Sequence, residues 1–292
     1  MEVGLFLLAG GVAAGAFGSL LGLGGGLLIV PLLTLGFGLG LREAVGVSLV
    51  CVIVTSSASA GVYLQRRQAN LRLGMVLELF TGLGAVLGGA IAFLVDERLL
   101  AGAFALLLAY VAFSMLRASK RSSAQVAPAN ASSLLPDAGA IDDGGIDDLP
   151  DEEAATVDPD AASLGLRPAA FARMPAAAVA SVGAGVASAL LGIGGGLVKV
   201  PLMNLGLGVP LRIATATSNL MVGITASTSA IVYLLRGGID AYAAGPTAVG
   251  VFIGASVGSR LGHRVNVPLL RLLFVAVMLY TAFEMARRAL GV

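Results

Sequence analysis

Apolar stretches near 20 residues recur along this chain of 292 residues, divided by short charged joints. That recurrence narrows the fold more than any other feature, because about 20 apolar residues are what a helix needs to cross the hydrocarbon of a bilayer. The runs fall at roughly 3–21, 44–64, 73–95 and 99–116, then at 175–191, 213–235, 241–262 and 268–286. Two shorter runs, 27–40 and 197–210, are too brief to cross comfortably at 1.5 Å per residue and read as half-helices. Charged residues are 12% of the chain, against about a quarter in an ordinary soluble domain. A barrel is excluded, since its strands alternate and run only about 10 residues. The expected class is an all-α polytopic membrane protein, in contact with the lipid bilayer and with no nucleic-acid partner. Met1-Glu2-Val3 carries no basic leader, so the first run reads as a retained span.

The chain repeats itself. An offset of 170 aligns the halves without gaps for about 95 residues, pairing Pro31 with Pro201, Arg42 with Arg212, Ser48 with Ser218, Tyr63 with Tyr233 and Gly84 with Gly254. The expected organisation is a membrane repeat over 1–116, a linker over 117–173 and a second membrane repeat over 174–292. The linker holds ten of the seventeen acidic residues among Pro, Gly, Ser and Ala, and is predicted to be disordered. Its basic flanks, Arg117, Lys120, Arg121, Arg167 and Arg173, place it on the cytoplasmic side. Five segments per half give an inverted repeat. Counting basic residues on each side does not separate inverted from parallel, and the length of run 3–21 favours inverted.

Duplicated halves with interrupted segments at matching positions are the pattern of secondary transporters, with substrate held at the interruption. Gly22-Leu-Gly-Gly-Gly26 and Gly192-Ile-Gly-Gly-Gly196 each break an apolar run five residues before a Val-Pro. Lipid-exposed broken backbone is costly, so such a break lines protein or water. Gly24, Gly25, Gly26, Gly194, Gly195 and Gly196 are therefore candidate substrate contacts, offering free N–H groups where a helix restarts. Tight helix packing through small residues is the competing reading. Neither copy is a nucleotide-binding loop, since no Gly-Lys-Ser/Thr follows.

Lys199 replaces Ile29 of the first copy and is one of two lysines in the chain. A lysine in an apolar segment needs a cavity or a partner, so it reads as the cation for an anionic substrate, with proton coupling as a further role. Thr217, Ser218, Asn219 and Asn204 supply hydrogen-bond donors nearby, where the first half has Val47, Ser48, Leu49 and Thr34. Arg42 and Arg212 follow each half-helix and are candidates for oxyanion contact or interfacial anchoring. Glu78 is the one carboxylate deep in an apolar run, and its counterpart is Ala248. One His and one Cys make a transition-metal site improbable, and no cofactor is expected. Paired membrane aspartates or a placed base are missing, so the chain is not read as an enzyme. Nothing in the sequence excludes a homodimer.

The two glycine-proline stretches, together with Ala214-Thr-Ala-Thr-Ser-Asn219, resemble the TauE/SafE family of sulfite and sulfonate exporters. The resemblance covers nearly the whole chain outside 117–173. It implies a permease of the inner (plasma) membrane that moves a small sulfur-containing anion, sulfite or an organosulfonate, without fixing the direction; export is the expected direction, and alternating access of the two halves the expected mode. A passive anion channel, or a carrier for another small organic anion, stands as the alternative on the same fold.

Overall fold

The computed structural model describes residues 2–20, 26–65, 70–125, 173–209, 211–261 and 267–291. Among them are ten α-helices and no strand. The first half contributes α1 (Glu2–Leu20), α2 (Gly26–Pro31), α3 (Leu41–Gln65), α4 (Leu71–Ala92) and α5 (Glu97–Gln125). The second contributes α6 (Met174–Leu191), α7 (Gly196–Pro201), α8 (Leu211–Leu235), α9 (Ala241–Leu261) and α10 (Val267–Leu290). Three of these, α4, α6 and α8, are long and apolar enough over their described residues to cross a membrane. Large apolar side chains are exposed on the outside, among them Phe6, Leu79, Leu87, Leu106, Phe113 and Phe283. A water-soluble protein does not present so much apolar surface, whereas lipid tails solvate it.

The short helices α2 and α7 end for a shared reason. Pro31 and Pro201 lack the N–H that would continue the ladder, and each is followed by a π-turn, Leu32–Gly36 and Leu202–Gly206. Gly38 and Gly208 then take positive φ, 69° in both cases. This lets Leu39 N–H reach the Leu33 carbonyl (3.1 Å) and Val209 N–H reach that of Met203 (3.0 Å), a bond six residues back that closes each π-turn. The predicted half-helices are thus six α-helical residues and a π-turn, shorter than the apolar runs that contain them.

The halves interlock reciprocally. Helix α1 of the first packs along α9 of the second, and α6 of the second along α4 of the first. Glycine sets the closeness of both seams. A Cβ at Gly84 would lie 2.1 Å from the Val182 carbonyl oxygen, and one at Gly254 would lie 2.0 Å from that of Val12. Backbones meet at a distance that no side chain allows. Helix α3 packs on α8, and α5 on α10.

Of the predicted linker, residues 117–125 are the last turns of α5, so the helix outruns the apolar segment. Arg117-Ala-Ser-Lys-Arg121 is sequence that a helix tolerates well, and Pro128 lies beyond it. Residues 126–172 lie outside the described residues, as does His263.

Candidate functional site

The site is built where the second glycine break turns back into α7. Gly194 and Gly195 hold φ of 73° and 78°, which unwinds the chain for one tight turn. The turn is packed closely: a Cβ on Gly194 would stand 2.5 Å from Val222 and 2.8 Å from Val52. The packing reading of these glycines therefore has direct geometric support, and it does not displace a site beside them. One turn on, Lys199 points inward with 1% of its surface exposed.

Its ammonium is held by two groups from other helices. Lys199 Nζ donates to Glu78 Oε2 of α4 at 2.9 Å and to Thr225 Oγ1 of α8 at 2.5 Å. The Thr225 hydroxyl donates in turn to Glu78 Oε1 at 2.5 Å, closing a three-membered ring. Glu78 is 6% exposed. The charges neutralise each other, the condition under which two ions are tolerated away from water. Glu78 is carried to Lys199 by the α4–α6 seam and by the packing of α4 on α8.

Two buried hydroxyls lie beside the glycine turn. Ser188 on α6 and Ser218 on α8 have no hydrogen-bond partner among the described residues. The position of a Cβ on Gly195 lies 3.3 Å from Ser188 Cβ and 3.5 Å from Lys199 Cε, so these side chains flank one point. Ser218 Oγ lies 3.6 Å from the Cβ position of Gly196. Buried hydroxyls are normally paired, so two donors left over at one turn call for an explanation. Ser48, the counterpart of Ser218, is spent differently: its hydroxyl sits 2.7 Å from the Gly192 carbonyl and 3.2 Å from that of Gly26. The two interruptions therefore meet at Ser48.

Other predicted contacts have structural roles. Arg42 is an anchor: its guanidinium donates to the Ala92 carbonyl (3.1 Å) and the Val95 carbonyl (2.5 Å), capping the end of α4. Asn204 donates to the Val209 carbonyl at 2.9 Å and braces the loop behind α7. Thr217 accepts from Asn70 N–H at 2.9 Å, at the start of α4. The backbone carbonyl of Asn219 accepts from Ser56. The helix end expected to attract an anion is modest, because α7 has only six residues and Gly195's carbonyl takes the N–H groups of Val198 and Lys199. Gly24, Gly25 and the Arg212 side chain lie outside the described residues.

Sequence reasoning missed Thr225 and Ser188, which look like ordinary helix hydroxyls, and did not pair Glu78 with Lys199. A signal was present. Lys199 and Glu78 are departures of opposite sign from a duplicated pattern, standing against Ile29 and Ala248. Their partner Thr225 faces Thr55 in that alignment, so two substitutions convert an apolar place into an ionic one. Among the described residues no cluster of His, Cys, Asp or Glu could hold a metal ion. A cavity of about 330 Å³ between α1, α2 and α10 is walled by apolar groups such as Phe17, Leu28 and Val277, chemistry suited to lipid and not to an anion.

Among the described residues, helices with exposed apolar side chains, three of them long and apolar enough to cross a bilayer, mark a membrane protein. The chain belongs to the Sulfite exporter TauE/SafE family, whose family model matches residues 7–285. It is 25% identical over 292 residues to the probable membrane transporter protein YunE of Bacillus subtilis (strain 168), covering 96% of this chain and 97% of that one. No solved structure matches it.

Proposed function

We propose that this protein is a secondary transporter of the inner membrane that moves a small sulfur-containing anion, sulfite or an organosulfonate, in the export direction. The observation that carries the reading is the Lys199 ammonium, sealed from solvent one turn after the second glycine break, with the unpartnered hydroxyls of Ser188 and Ser218 beside the glycines of that break. An oxyanion needs a cation and several donors, and those are the groups at this turn. The family supports the sulfur chemistry. Lacking a nucleotide loop, the chain would draw on an ion gradient or on the gradient of its substrate.

Alternating access follows from burial. A group with 1% exposure cannot meet an aqueous ion without movement of the helices around it, which favours a carrier over an open pore. The halves would rock as inverted repeats. That orientation is the one in which each half crosses the membrane five times.

Counterflow tests the carrier. Proteoliposomes preloaded with unlabelled sulfite should transiently concentrate labelled sulfite from outside, and the initial rate should saturate. Flux that rises linearly with concentration and shows no counterflow would make the protein a channel. No flux of any sulfur anion would remove the substrate class.

A further inference from the structure

We propose that Glu78 is an internal surrogate for the transported anion, leaving Lys199 only when protonated, so that each negative charge on the substrate is accompanied by one proton. The inference rests on the anion-carrier reading and names its coupling ion. Lys199 is the cation at the break, and in this conformation its charge is already answered by a carboxylate 2.9 Å away. An arriving monovalent anion has two options. If Glu78 stays ionised, the sealed site holds two negative charges and one positive, a net buried charge that costs several kcal/mol. If Glu78 takes up a proton, the anion replaces it on Lys199 and the site stays neutral. The balance is complete: carboxylate plus proton gives the carboxylic acid, and the anion takes the place of the carboxylate beside the ammonium.

Thr225 is placed to serve both states. Its hydroxyl accepts from Lys199 and donates to Glu78 in the paired state. A hydroxyl is both donor and acceptor, so it can turn and accept from the protonated carboxyl once the pair opens. Ser188 and Ser218 remain as donors for the incoming oxyanion.

Other charged groups are far along their helices. Helix α4 packs against α6 and α8, and α7 against the same two. Besides Glu78 and Lys199, these elements and their caps carry Arg72 in the first turn of α4, Arg173 at the N-cap of α6, Arg212 near the start of α8 and Tyr233 near its end. Tyr233 donates its hydroxyl to the Ala189 carbonyl. The Arg212 side chain lies outside the described residues. The alignment of the halves matches Lys199 with Ile29 and Glu78 with Ala248, so the equivalent place holds an apolar pair, one residue from each half.

Calorimetry on the purified full-length protein tests this. Methanesulfonate, a permanently monovalent anion, is titrated in buffers of differing ionisation enthalpy, with sulfite as a second probe. Wild type should take up about one proton per methanesulfonate, and its affinity should weaken about tenfold per pH unit while Glu78 is ionised in the free protein. Glu78→Gln should bind more tightly, with no proton uptake and a flat pH profile. Binding to wild type without proton uptake overturns the inference and leaves the carrier standing. Proton uptake that persists in Glu78→Gln overturns it also. Folded wild type that binds no sulfur anion instead refutes the substrate class beneath it. The wild-type stoichiometry decides the matter even if the variant does not fold.

Discussion

Removing one partner of a buried ion pair leaves an uncompensated charge, at a typical cost of about 3–5 kcal/mol. Lys199→Ile and Glu78→Ala should each destabilise the protein by about that much, and the double variant should lose far less than the sum of the two. Denaturant or thermal unfolding in detergent reads this directly. The double variant installs the residues found at the aligned positions, Ile29 of the first half and Ala248 of the second, so it is an apolar form with a precedent in the sequence itself. Ser188→Ala and Ser218→Ala give the opposite signature. Their hydroxyls bond nothing among the described residues, so stability should hardly change, while KM for the anion rises by up to about tenfold for each donor lost. A fall in stability with unchanged KM would make them packing residues. The pairing of Lys199 with Glu78 was not legible because 121 residues separate them and the repeat gives Glu78 no counterpart. The cost of a lone lysine in an apolar run was legible, and it called for a buried partner, which the structure supplies in Glu78.

At the scale of elements, the prolines and glycines carry the information. The glycine breaks located the starts of both half-helices from sequence, at Leu27 and Leu197 against Gly26 and Gly196 in the structure. Their true length was not legible, because the π-turn and the closing bond at Gly38 or Gly208 depend on geometry that composition does not record. The apolar run continued past the last helical residue and hid the end. Likewise α5 outran its apolar segment, because helix propensity does not stop at the membrane surface. Arg42 looked like a substrate ligand by type and proved to be a cap by its partners. Gly84 and Gly254 define a prediction at this scale. Gly84→Leu or Gly254→Leu would drive a side chain into the carbonyl of the facing helix, so folded protein should be lost, as size-exclusion profiles in detergent would reveal. Leucine at Gly82, where no atom lies within 4 Å of a Cβ, should be tolerated.

Across the whole molecule, the aligned halves share a pattern of residues that Lys199 and Glu78 break. Helices α1 and α4 of the first half are exchanged for α6 and α9 of the second at two matched seams, and the interruptions meet between them. Only one of the two equivalent places carries an ion pair. If the halves are inverted, a reporter fused after Val292 should lie on the opposite side of the membrane from one inserted in the acidic segment; the same side would make them parallel. The most direct test of the account is saturable sulfite and methanesulfonate flux in proteoliposomes, wild type beside Lys199→Ile/Glu78→Ala. The account predicts saturable flux in wild type and its loss in a double variant that remains folded. Undiminished saturable flux through the double variant would contradict it, placing the anion path away from Lys199.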